Sequence, residues 1–166
     1  MLDVLKISYE DALVLCERKE SDLFDRKAAK LEGKKIEKIA VAFANADGGE
    51  FVIGIADAKD EPDPTKRWQG LPEQEGYNAA LQVMYNLNPA VGFRHEFLEA
   101  DKMPGIALRI YVDKSPNVSK MSDGKVYQRK GAQSLPLTDP EKITALSFAK
   151  GAASYEDTNL NIDPEE

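Results

Sequence analysis

A chain of 166 residues, 42% hydrophobic and 31% charged, is large enough for one domain with a single core, and no apolar run approaches the roughly 18 residues that span a bilayer. The net charge of −7 excludes nucleic-acid binding by bulk positive charge, but leaves room for a local basic strip or for a bound cation that supplies the charge. Cys16 is the one cysteine, so there is no internal disulfide and a reducing cytoplasm is the expected compartment; Met1 to Lys6 lacks a secretory pattern.

Ser8 is expected to cap a first helix, with Asp11 three residues on and Ala12, Leu13 and Cys16 on its apolar side. Residues 23–28 read as a short strand whose alternation puts Asp25 and Lys27 on one face and Phe24 and Arg26 on the other. Residues 34–46 form the clearest helix, since Ile36, Ile39, Ala40 and Phe43 recur at helical spacing. It ends at Asn45-Ala-Asp-Gly-Gly49, where glycines permit a tight turn. Residues 50–56 are a near-continuous apolar run, as in a strand buried on both faces.

A polar, proline-punctuated loop follows at Asp60 to Pro64, and then a second amphipathic helix over 77–87, ended by Asn88-Pro89. Residues 92–99 and 106–113 alternate as two strands with a short linker, so an antiparallel hairpin is expected. A polar loop leads to a short strand over 125–129. Asp139-Pro140 reads as a helix start and Lys150-Gly151 as its stop. The order is α-β-α-β-α-β-β-β-α: an α+β fold with a mixed sheet flanked by helices, one domain over 1–153, and an acidic tail or linker to further sequence over 154–166.

Three carboxylates stand out. Glu20, Asp25 and Asp57 each lie at or beyond a strand end. If they converge they offer oxygen ligands to Mg²⁺ or Mn²⁺, an ion able to activate water and stabilise charge on a phosphate. Lys27 beside them would contact that phosphate. The competing reading is solvated surface carboxylates in a chain with 29 acidic residues. Lys120, Lys125, Tyr127, Arg129 and Lys130 form a basic cluster with an aromatic. Alternation places Lys125, Tyr127 and Arg129 on one face that could track a phosphate backbone and stack a base, or simply protect an edge strand. His95 alternates with Phe93 and Phe97 and is read as packed, Cys16 as core. Trp68 is read as a loop anchor, with stacking on a ligand as the alternative.

Absences narrow the chemistry. There is no phosphate loop and no dinucleotide fingerprint, so no nucleotide cofactor is expected. One Cys and one His cannot build an ordinary zinc site.

Together the segments resemble the Schlafen AlbA_2 domain, a family also described as a putative DNA-binding domain of RecG-like and divergent AAA proteins. The marks are Glu20-Ser21 with Asp25-x-Lys27, Ile39 through Ala42-Phe43-Ala44-Asn45, Gly48-Gly49, Gly54-Ile55-Ala56-Asp57, and Val126-Tyr127-Gln128-Arg129-Lys130-Gly131. They cover roughly 11–150. The resemblance implies a single lobe with a three-carboxylate site at Glu20, Asp25 and Asp57, binding Mg²⁺ or Mn²⁺ and cutting tRNA or rRNA, in a role such as antiviral defence. It implies RNA rather than DNA as partner, and homodimerisation as the route to a two-lobed groove. Asp25 stands where the family usually has Glu, Arg26 where an apolar residue is frequent, and the Schlafen zinc ligands have no counterpart. Two other readings stand beside the endoribonuclease: a non-catalytic DNA- or RNA-binding module of a transcriptional regulator or helicase-related protein, and a dimerisation or protein-interaction domain.

Overall fold

The computed structural model describes residues 3–160, with side chains through residue 151. The elements are β1 (Val4–Ile7), α1 (Tyr9–Glu17), β2 (Phe24–Lys27), α2 (Gly33–Ala44), β3 (Gly49–Ile53), α3 (Asn78–Tyr85), β4 (Phe93–Ala100), β5 (Ile106–Val112), β6 (Val126–Lys130), β7 (Gln133–Leu137) and α4 (Pro140–Leu160), with two 3₁₀ turns between β3 and α3. A five-stranded mixed sheet has the order β1-β4-β5-β3-β2, and β6-β7 is a separate antiparallel ribbon. The fold is α+β, with the expected β4-β5 hairpin in place. No helix among the described residues is long and apolar enough to cross a membrane.

Alternation along β3 builds two cores. Phe51 and Ile53 face Ile36, Ile39, Ala40 and Phe43 of α2, with Leu108 and Ile110 of β5 alongside. Val52 faces the other way, into a cluster with Ala12, Leu15 and Cys16 of α1, Leu98, Ala107 and Trp68. Leu15, not Leu13, completes the buried side of α1. A strand covered on both faces needs apolar residues at every position, which is why this run shows no polar alternation.

Three helix ends are held by side chains, two of them from distant sequence. Ser8 Oγ accepts from Asp11 N at 3.0 Å, the expected cap of α1. At the other end, Arg67 donates to Cys16 O at 2.9 Å, and Arg26 donates to Leu15 O and Arg18 O. Two buried guanidiniums therefore satisfy carbonyls that an α-helix leaves open, with a favourable charge for its C-terminus. The end of α2 is held by Lys150, whose Nζ donates to Ala44 O at 3.0 Å and Ser115 O at 2.7 Å. Asn45 Nδ2 donates to Ser119 O and Tyr127 O at 2.8 Å each, and its Oδ1 accepts from Ser119 N at 2.7 Å. This buried amide clasps the loop and the ribbon to the helix. Gly48 has φ +79°, and a Cβ there would lie 2.7 Å from Val112 O. Backbone conformation and close approach both demand glycine.

Several expectations are corrected. β1 was not expected; it pairs in parallel with β4, Val4 opposite Phe97. β7 was not expected either; it carries Pro136 and is an edge strand, where proline is tolerated. The stop at Lys150-Gly151 does not hold: α4 runs through both to Leu160, and 161–166 lie outside the described residues. Cys16 is buried, as expected. His95 lies between Phe93 and Phe97, ring centroids 6.3 and 5.7 Å away. Trp68 is buried and donates to Gly105 O at 3.3 Å, so it anchors its loop.

Candidate functional site

The β2 strand turns Phe24 and Arg26 towards α1 and Asp25 towards the ribbon, as alternation requires. Asp25 and Arg129 are both almost wholly buried, their side chains 3% and 1% exposed. Arg129 Nη1 donates to Asp25 Oδ2 at 2.8 Å and to Ser134 Oγ at 3.1 Å. Its Nε donates to Ser21 O at 3.1 Å and its Nη2 to Phe24 O at 3.2 Å. The guanidinium lies 4.9 Å from the centroid of Phe43, a cation–π contact. The second oxygen of Asp25 accepts from Arg26 N at 2.7 Å, with Lys27 Nζ 3.6 Å away.

Glu20 completes the cluster. Burial, the adjacent Asp25 carboxylate and a hydrogen bond to it push the Glu20 carboxyl up to about 7, with Lys27 and Arg26 pulling the other way. A proton on Glu20 relieves the repulsion from the neighbouring carboxylate.

Beside this cluster opens a cavity of about 420 Å³ between β2, α2 and the ribbon. Lys27, Lys30, Lys35 and Lys38 line it, together with Asp57 and Asp60, Asp25 from β2, and Arg129 and Ser134 from the ribbon. Lys35 and Lys38 are three apart on α2, so they share a face. Lys30, Lys35 and Lys38 form no ion pair among the described residues; Lys38 rests on the Tyr127 ring at 5.0 Å. The cavity is a cationic hollow in a protein of net charge −7.

Asp25 and Asp57 line this cavity and Glu20 adjoins Asp25, but the three are not arranged as ligands. Asp57 lies four residues past β3, where its Oδ1 accepts from Asp60 N at 2.8 Å. Both oxygens of Asp25 are engaged. Among the described residues, no three Asp, Glu, His or Cys side chains are placed to hold a metal. A Mg²⁺ or Mn²⁺ ion needs several free oxygens at close range, so the donor set does not fit the three-carboxylate centre.

The basic cluster is also dispersed. Lys125 lies before β6, exposed and 3.9 Å from Asp123. Tyr127 is half-buried and Arg129 is internal, so the three do not share an exposed face. Lys120 and Lys130 are exposed. The lysines that line the cavity, Lys30, Lys35 and Lys38, were not singled out from sequence. For Lys35 and Lys38 the signal lies on the polar side of α2; Lys30 lies in the loop before that helix.

The sequence matches the family described as Schlafen, AlbA_2 over residues 17–138. The chain belongs to the Schlafen AlbA_2 family. That membership points to a nucleic-acid-related function. No curated protein matches this AlbA_2 chain. Among solved structures it is similar to the DIP2311 protein from Corynebacterium diphtheriae, with a TM-score of 0.52 and 15% identity over 77% of this chain and 28% of that one. The likeness is one of fold, and it covers under a third of the other protein. Residues of the family marks line the cavity, among them Asp25, Lys27 and Asp57, while Arg129 ties the ribbon to β2.

Proposed function

We propose that this AlbA_2 domain binds nucleic acid, RNA in preference to DNA, by seating backbone phosphates in the lysine-lined cavity. The observation that carries the reading is the set of Lys30, Lys35 and Lys38, unpaired among the described residues, around one hollow. Lysine ammonium groups are point charges suited to phosphate. Fluorescence anisotropy with single-stranded RNA, single-stranded DNA and duplexes across a salt series tests it. Log affinity should fall with log salt with a slope of roughly −0.7 per phosphate engaged on a single strand, and Lys35→Glu with Lys38→Glu should abolish binding. Salt-insensitive binding, or binding untouched by the double variant, would overturn the reading. Homodimerisation, which would set two such cavities along one groove, is read from sedimentation of the same samples.

A second reading is a divalent-metal-dependent endoribonuclease acting on tRNA or rRNA in antiviral defence. The Glu20–Asp25 carboxyl pair next to Lys27 favours it. Because the carboxylates do not fit a metal as they stand, no metal-dependent step is derived. Incubation with a tRNA pool and Mn²⁺, beside Asp57→Asn and EDTA controls, separates the readings. Cleavage that needs both metal and Asp57 establishes the nuclease; retained binding without cleavage establishes the binding module.

A further inference from the structure

We infer that Arg129 is the resident cation of this site, holding at Asp25 the place a divalent ion would take, so that the cavity works without metal. Four observations carry this. The guanidinium makes hydrogen bonds to Asp25, Ser134, Ser21 and Phe24 at 2.8 to 3.2 Å, which engage all three of its nitrogens. Its side chain is 1% exposed, so it is not a surface arginine that swings aside. Lys27 Nζ, 3.6 Å from Asp25 Oδ1, adds a second positive charge that an incoming dication would have to approach. Asp25 Oδ1 accepts a hydrogen bond from Arg26 N at 2.7 Å.

The consequence reaches beyond charge balance. Arg129 belongs to the ribbon whose Ala132 and Ser134 wall the cavity, and Asp25 belongs to β2 on the other side. One buried ion pair therefore joins the two walls and sets the width between them. An arginine stays protonated at all accessible pH values. The walls are accordingly held together whatever the metal concentration, whereas a bound ion would make that spacing depend on metal supply.

The inference concerns the cavity in which nucleic-acid binding is proposed, and rests on that reading only for the phrase "works without metal". The closing experiment is a calorimetric titration of Mn²⁺ into the wild-type chain, Arg129→Met, Arg129→Lys and Glu20→Gln, with circular dichroism melts showing which variants are folded. Wild type and Arg129→Lys should show no saturable Mn²⁺ binding. Folded Arg129→Met, which keeps the bulk and loses the charge, should gain Mn²⁺ affinity by about tenfold or more, and adding Glu20→Gln should remove the gain. Saturable Mn²⁺ binding by the wild type that Glu20→Gln abolishes would overturn the inference, and that arm needs no Arg129 variant to fold. A folded Arg129→Met with no gain would overturn it too. Failure of RNA binding in the anisotropy series leaves these metal titrations unchanged, so the two ideas fail separately.

Discussion

Arg129 and Asp25 are 104 residues apart in sequence and 2.8 Å apart in the fold. Among the described residues, their contact is the one place where the β6-β7 ribbon is pinned to the sheet by an ion pair, and both partners are withdrawn from water. Breaking it should cost more than any surface ion pair, because the survivor is left charged in a dry site. Arg129→Met and Asp25→Asn should each destabilise the chain by about 3–5 kcal/mol, and the double variant by less than their sum. Urea titrations of the four proteins measure the coupling; simple additivity would refute it.

Glu20 gives the chain a pH dependence of definite sign. Its folded value of about 7 lies above its ordinary 4.5, so the folded state binds the extra proton between these limits. The stabilisation is complete below pH 4.5 and is lost as the pH rises through 7. Glu20→Gln, which cannot ionise, should leave the melting temperature unchanged near pH 4 and raise it at pH 8. An equal shift at both values would mean that the proton is not held at Glu20.

Lys150 should act in the opposite direction. Burial, with Lys114 nearby, pulls its ammonium below the ordinary 10.5. The unfolded chain then binds more protons between that lowered value and 10.5, and stability rises with pH across that window. Lys150→Met removes the rise and also removes the donor to Ala44 O and Ser115 O, at a cost of about 1–3 kcal/mol near neutrality. Chemical denaturation at pH 7 and pH 9.5 reads both effects; identical slopes for variant and wild type would refute the assignment.

Cys16 should be inert in the native protein. It is buried and its thiol is pushed up to about 11, chiefly by desolvation, so little thiolate is present at neutral pH. A disulfide reagent should label it only after denaturant is added. Rapid labelling of the folded chain would place Cys16 nearer the surface than it stands here.

How much of this could be read beforehand varies by element. Helix α2, the β4-β5 hairpin and the Asp139 start of α4 follow from periodicity and caps within a few residues of each other, and each is where that periodicity places it. Strand β1 was hidden because its four residues carry no alternation and its partner, β4, lies some ninety residues away. Strand β7 is short and holds Pro136, a residue compatible with an edge strand, and an edge position is invisible without the sheet. Gly151 was read as a stop, yet a glycine inside a helix costs only about 1 kcal/mol and nothing crowds it.

The candidate site divides the same way. The sequence alone determined the family marks, the alternation that turns Asp25 away from Phe24, and the placing of Asp57 just past a buried strand, because each depends on local chemistry and spacing. Only the tertiary structure decided that Arg129 turns inward to Asp25 instead of outward to solvent, and that Lys30, Lys35 and Lys38 surround one cavity. A charge enters a protein interior only where an opposite charge and fixed hydrogen-bond acceptors meet it. For Arg129 those partners come from β2 and the loop before it, more than a hundred residues away, so nothing in its own neighbourhood announces where it points.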